Sequence, residues 1–205
     1  HANVQIDGAA YGEAGAFAPD WKTVLQKARQ EKPSWLRLFT ARYERIAGWT
    51  QRYVAAAEKR SGEQVLSHRD LDPKNVLWDG MEPFLIDWEA AGYVNPEREL
   101  IEVVNYWACN QRGRLDREKF RALLAAYQMN RPLLHTDWPA VLDSGYGGML
   151  EWLLYNMKRS LGIECSSQEE RRLGTAQVRG TLHALDAYER KTALLLEWLR
   201  EDCDA

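Results

Sequence analysis

The chain has 205 residues, 45% of them hydrophobic and 28% charged, with a net charge of -3. That length and composition suit one soluble domain with a sizeable core. The mildly acidic balance argues against nucleic acid as a partner, and no run approaches the ~18 apolar residues of a membrane span. The cysteines Cys109, Cys165 and Cys203 are odd in number and widely spaced, with no Cys-x-x-Cys pair. They argue against a disulfide scaffold or zinc site and for a reducing, cytoplasmic compartment.

Residues 1–19 are rich in Gly and Ala and read as a linker. Asp20 is placed to cap a helix over Trp21–Glu31. Pro33 suits the first turn of a long helix running to about Lys59, whose apolar residues Trp35, Leu36, Phe39, Tyr43, Ile46 and Trp49 recur at helical spacing. Ser61-Gly62 is expected to end it. Residues 63–92 change character. Val65-Leu66, Val76-Leu77-Trp78 and Phe84-Leu85-Ile86 read as short strands, the last two forming a hairpin around Asp79-Gly80 with an expected five-residue loop. From Pro96 the chain is helical again, over Glu97–Gln111, Arg117–Gln128, Trp138–Leu161 and Gln168–Glu201. The reading is a single domain over 1–205, mainly α with a small β hairpin cluster. It divides into a linker and helices (1–62), a loop and hairpin segment (63–92) and a helical subdomain (93–205).

The chemistry is concentrated in His68-Arg69-Asp70-Leu71-Asp72-Pro73-Lys74-Asn75, which matches the kinase catalytic-loop pattern H-R-D-L-x-x-x-N at every specified position. Asp87 follows at the expected end of the hairpin. Phosphoryl transfer asks little covalent chemistry of a protein. It needs the acceptor hydroxyl aligned with the transferred phosphate and the phosphate charge neutralised. Asp70 has the chemistry to take the hydroxyl proton. Asn75 offers a neutral oxygen to a hard cation such as Mg²⁺, and Asp87 a charged one. Pro73 helps the loop bend back.

Val65 to Asp70 together with Ile86-Asp87-Trp88-Glu89 resembles the signature of the aminoglycoside phosphotransferase/choline kinase-type family, tightly over residues 65–100. The resemblance implies the C-terminal lobe of a protein-kinase-like fold. It also implies ATP or GTP as donor, Mg²⁺ as cofactor and a hydroxyl on a small molecule as acceptor. By matching positions, Asp70 is the catalytic base and Asn75 and Asp87 are metal ligands. His68 usually holds such a loop by hydrogen bonds and is the second choice as catalytic residue. Several features depart from protein kinases: Asp72 stands where Lys is common, Asp87-Trp88-Glu89 replaces Asp-Phe-Gly, and Ala-Pro-Glu is missing. These favour a small-molecule kinase. Glu99 stands where the family often has Asp, and it is expected still to reach the loop.

No Gly-rich phosphate loop and no Val-Ala-Ile-Lys strand occurs. The expectation is a C-terminal lobe beginning near His1, catalytically silent without its N-terminal lobe. Glu89 is a further candidate for the metal, Lys74 for a nucleotide phosphate, and Arg69 for bracing the loop on Glu99. Trp88 is a candidate cleft wall, and Trp152 with Tyr155 a candidate wall for an acceptor, near Glu151, Asn156, Glu164, Glu169 and Glu170. The other tryptophans, Trp107 among them, read as core, and His135 and His183 as structural. The competing functions are a catalytically silent kinase-like binding module and a metal-dependent hydrolase. The acceptor and the oligomeric state are left open.

Overall fold

In a computed structural model of the chain, residues 18–59, 64–110, 113–133 and 136–203 are described. The linker expected over most of 1–19, the helix stop at Ser61-Gly62 and the reading of His135 lie outside them. The described chain is mainly helical, with two small two-stranded antiparallel sheets. It divides into two compact units, one holding residues 60–141 and the end of the last helix, the other residues 15–59 and 142–197.

The second of these units is all helix. Helix α1 (Trp21–Glu31) starts where Asp20 Oδ1 accepts the amides of Lys22 and Thr23. The long helix expected from Pro33 to Lys59 is instead two, α2 (Leu36–Thr40) and α3 (Tyr43–Glu58). The break has a local cause. The amide of Arg42 donates back three residues to Phe39, while the Leu38 carbonyl, its normal helical partner, accepts from the Arg42 guanidinium at 3.3 Å. The chain passes from one helix to the next through this tighter turn, in which the Arg42 amide reaches back three residues instead of four.

A second expected helix also divides, into α6 (Trp138–Ser144) and α7 (Tyr146–Leu161), meeting at Gly145. There the Tyr188 hydroxyl donates to the Leu142 carbonyl at 2.8 Å. A Cβ on Gly145 would stand 2.0 Å from that hydroxyl oxygen, so only glycine admits the tyrosine. Gly147 does the same for the approach of Tyr53 from α3. The last helix, α8 (Gln168–Cys203), runs unbroken. The core of this unit is aromatic and aliphatic, built from Trp35, Phe39, Ile46, Trp49, Tyr146, Leu150, Leu153 and Met157, with Val178, Leu182 and Leu185 from α8.

The other unit carries the strands. Strand β1 (Val65–Ser67) pairs antiparallel with β4 (Gly92–Val94), a strand with no sequence expectation, and everything between them is bracketed by that ladder. Within it, β2 (Val76–Asp79) and β3 (Glu82–Leu85) form a hairpin closed by Gly80-Met81, two residues rather than five. Gly80 has φ +62°, which the tight turn demands. Asp79 pairs with Glu82 and Trp78 with Pro83. In a two-residue hairpin the pair next to the closing one exchanges no ladder hydrogen bonds, so Pro83 extends the strand without losing one. Helices α4 (Pro96–Trp107) and α5 (Arg117–Gln128) complete this unit, both with Asx caps, from Asn95 and Asp116. Leu100, Ile101, Val104, Phe120 and Leu124 bury their apolar faces, and Phe120 lies 5.3 Å from the Trp198 ring.

Candidate active site

The segment from His68 to Asn75 is held by hydrogen bonds at nearly every residue. Its start is set by Arg69, a non-glycine residue at φ +65°. Glu99, only 2% exposed, accepts the Arg69 amide at 3.0 Å. Glu99 thus reaches the loop as expected, through the backbone of Arg69. The Arg69 side chain lies over Gly92 on β4, where an added Cβ would stand 2.8 Å from the guanidinium. Further along α4, Trp107 Nε1 donates to the Leu71 carbonyl at 2.7 Å. The sequence marks Trp107 only as part of an apolar face. In the fold it is half-buried and holds the loop through its one polar atom.

His68 is buried between the loop and the hairpin. Its Nε2 lies 2.8 Å from the Ile86 carbonyl and so carries the hydrogen, while Nδ1 accepts the Asp70 amide at 3.3 Å. Both ring nitrogens are therefore occupied, and the ring packs 4.7 Å from the ring of Trp88. Trp88 in turn donates to the Leu85 carbonyl at 3.0 Å. The turn after Asp70 is capped by Asp72, whose Oδ1 accepts the Lys74 amide at 3.0 Å ahead of Pro73 in a single 3-10 turn.

Asp70 and Asn75 meet directly. Asn75 Nδ2 donates to both the Asp70 carbonyl and Asp70 Oδ2, each at 2.9 Å. Lys74 Nζ stands 3.6 Å from the same Oδ2. Oδ1 of Asp70 is left as an acceptor, on a side chain 35% exposed. The Asn75 carbonyl accepts the Ile86 amide at 3.0 Å, which extends the hairpin ladder by one step and brings Asp87 beside the foot of the loop. Asp87 has φ +64° and ψ +59° and heads the short 3-10 turn of Trp88–Ala90, with no capping hydrogen bond from its side chain. A left-handed aspartate costs about 1 kcal/mol or more relative to an ordinary backbone. Glu89 lies exposed on the same turn.

Tyr106 is a residue of this site that sequence reasoning passed over. It stands two helical turns after Glu99 on α4, hence on the same stripe, beside Trp107. Burial pushes its phenol up, and the nearby Asp72 and Asp70 carboxylates push it further. Its position against Glu99 is a periodicity signal, legible only once Glu99 is known to face the loop.

The oxygen donors present fit a hard divalent cation. The Asn75 amide nitrogen is committed to Asp70, which leaves Oδ1 as its free end, and Asp87 and Glu89 add carboxylates. Among the described residues, no cluster of three or more His, Cys, Asp or Glu side chains is arranged to hold a metal. The protein's share of such a site would be small and completed by phosphate oxygens and water, as is usual for Mg²⁺.

The profile described as the phosphotransferase enzyme family (APH) matches residues 4–141, well over half of the chain. The chain belongs to that family, and the match includes the whole of the loop, the hairpin, α4 and α5. Among the described residues, no helix is long and apolar enough to cross a membrane.

Proposed function

We propose that this chain is the catalytic C-terminal lobe of a small-molecule kinase. It transfers the terminal phosphoryl group of ATP or GTP to a hydroxyl of its acceptor. Asp70 is the base. The observation that carries this is the double hold of Asn75 on Asp70: Oδ2 is taken by the Asn75 amide with Lys74 alongside, so Oδ1 is the acceptor left for an incoming hydroxyl. As the acceptor oxygen bonds to the terminal phosphorus, the bond from that phosphorus to the bridging oxygen breaks and ADP or GDP leaves, while Asp70 Oδ1 takes the hydroxyl proton.

Asn75 Oδ1 and the Asp87 carboxylate are the residues that would hold Mg²⁺, with Glu89 as a further oxygen. When bound, the ion neutralises charge on the donor phosphates. His68 acts through position: its Nε2 hydrogen holds Ile86, its Nδ1 holds Asp70, and no nitrogen is left to move a proton. Lys74, exposed and 3.6 Å from Asp70 Oδ2, is only loosely paired and can turn to a donor phosphate. The nucleotide clamp, a Gly-rich loop with its lysine strand, is supplied by a lobe that these residues do not contain.

The test is a coupled assay of ADP or GDP release with Mg·ATP and Mg·GTP, across aminoglycosides, macrolides, choline, homoserine and sugars. It is run on this chain and on the protein that also carries the clamping lobe. Transfer to one acceptor class by the latter, absent from this chain and lost in Asp70→Asn, is expected. Turnover that survives Asp70→Asn at near-native rate overturns the assignment of the base.

A further inference from the structure

A groove of about 420 Å³ opens on α7, lined by Gly148, Glu151, Trp152, Tyr155 and Arg159. These residues fall at steps of three and four and so form one stripe of the helix. Trp152 and Tyr155 stack at 5.5 Å with their planes 28° apart, and both remain nearly half exposed. Gly148, one turn before Trp152, has nothing within 4 Å of an added Cβ. Gly148 therefore leaves open ground on the same stripe as Trp152.

Arg159 is the unusual member. It is 9% exposed, yet its partners are distant. Nη1 reaches Asn156 Oδ1 at 3.5 Å, and Nη2 stands 3.9 Å from Glu170 Oε1. Both distances are at the outer limit of a bond. Glu170 is committed elsewhere: its Oε2 accepts the Ser166 amide at 2.7 Å and the Ser166 hydroxyl at 2.9 Å. The guanidinium sits 5.3 Å from the Tyr155 ring centroid, which supplies polarisability but no acceptor. A guanidinium carries five donors. Among the described residues the two acceptor contacts of Arg159 are both long, and none of its nitrogens is at once sealed from solvent and without a partner; its unused donors are open to the groove that it lines. Glu151 also lines the groove, but it is exposed. Its charge is screened by water in a way that the buried Arg159 charge is not.

We propose that this groove binds a small molecule with a flat ring bearing an oxyanion, a carboxylate or a phosphate. The oxyanion is received by Arg159 and the ring lies against Trp152 and Tyr155. Arg suits that recognition because its planar fork matches two oxygens at once. The site stands on α7 and α8 alone and does not depend on the phosphotransfer reading.

The test is isothermal titration of the whole chain with indole-3-acetate and phenyl phosphate, against uncharged indole-3-acetamide and cationic tryptamine. Saturable binding of at least one oxyanion is expected, at least tenfold tighter than either control. Which oxyanion binds tighter separates a carboxylate from a phosphate ligand. Arg159→Met should lower that affinity tenfold or more, with Arg159→Lys recovering only part of it. Gly148→Leu fills the open ground without touching Arg159 and should abolish binding, while circular dichroism and Tm confirm its fold. Tryptamine binding tighter than indole-3-acetate, oxyanion affinity unchanged by Arg159→Met or by Gly148→Leu, or no uptake of either oxyanion each overturns the proposal.

Discussion

The amide nitrogen of Asn75 holds Asp70 by two atoms, the backbone carbonyl and Oδ2, each at 2.9 Å. One side chain thereby closes the loop and fixes the rotation of the carboxylate it holds. Since Asn75 is 3% exposed, water cannot readily take over those bonds.

That relationship predicts different outcomes at the two positions. Asp70→Asn in the active enzyme should lower kcat by several orders of magnitude and leave Tm within a few degrees, because the loop's other bonds remain. Asn75→Ala should cost stability as well, on the order of 1–3 kcal/mol, since it strips the partner from a part-buried carbonyl. Urea unfolding of this chain with each substitution checks the contrast; an equal loss of unfolding free energy in both variants would contradict it.

His68→Phe keeps a ring for Trp88 but removes both hydrogen bonds that tie Asp70 to Ile86. Stability should fall by about 1–3 kcal/mol, and amide exchange at Asp70 should quicken. His68→Asn, retaining a donor and an acceptor, should recover part of the protection. Exchange measured by NMR on the chain reads this without any substrate.

Gly145→Ala should destabilise the helical unit, because a Cβ there meets the Tyr188 hydroxyl oxygen at 2.0 Å. Tyr188→Phe removes that atom and with it the bond to Leu142. The double variant should therefore lose less than the sum of the two single losses. Chemical denaturation of the four proteins in that cycle measures the coupling, and strict additivity would show that the contact carries no strain.

Asp186 sets a pH dependence. Burial raises its pKa, but the hydrogen bond and charge of Arg42 and the charge of Arg45 outweigh it and leave the carboxyl below its ordinary value of 3.8. A carboxyl depressed in the folded state stabilises the fold above its unfolded pKa, and this contribution fades as pH falls through the folded value. Tm should therefore drop on acidification below about pH 4, and Asp186→Asn should flatten that segment while lowering Tm at neutral pH. An unchanged acid slope in the variant would remove Asp186 from the account.

The local signals in the amino-acid sequence carried far. Asp20 and the helix it caps, the limits of α5, the hairpin at Asp79-Gly80 and a tight turn that brings Asn75 back onto Asp70 were legible, because capping and turns are written in neighbouring residues. What the chain alone left undetermined depends on groups far apart in sequence. The break before α7 is decided by Tyr188 and the use of Trp107 by the Leu71 carbonyl. Glu99 takes the Arg69 amide and β4 pairs with β1. Each is a partner choice made in three dimensions, where a donor finds whichever acceptor the packing brings to it, and no periodicity in one segment encodes what another segment will present.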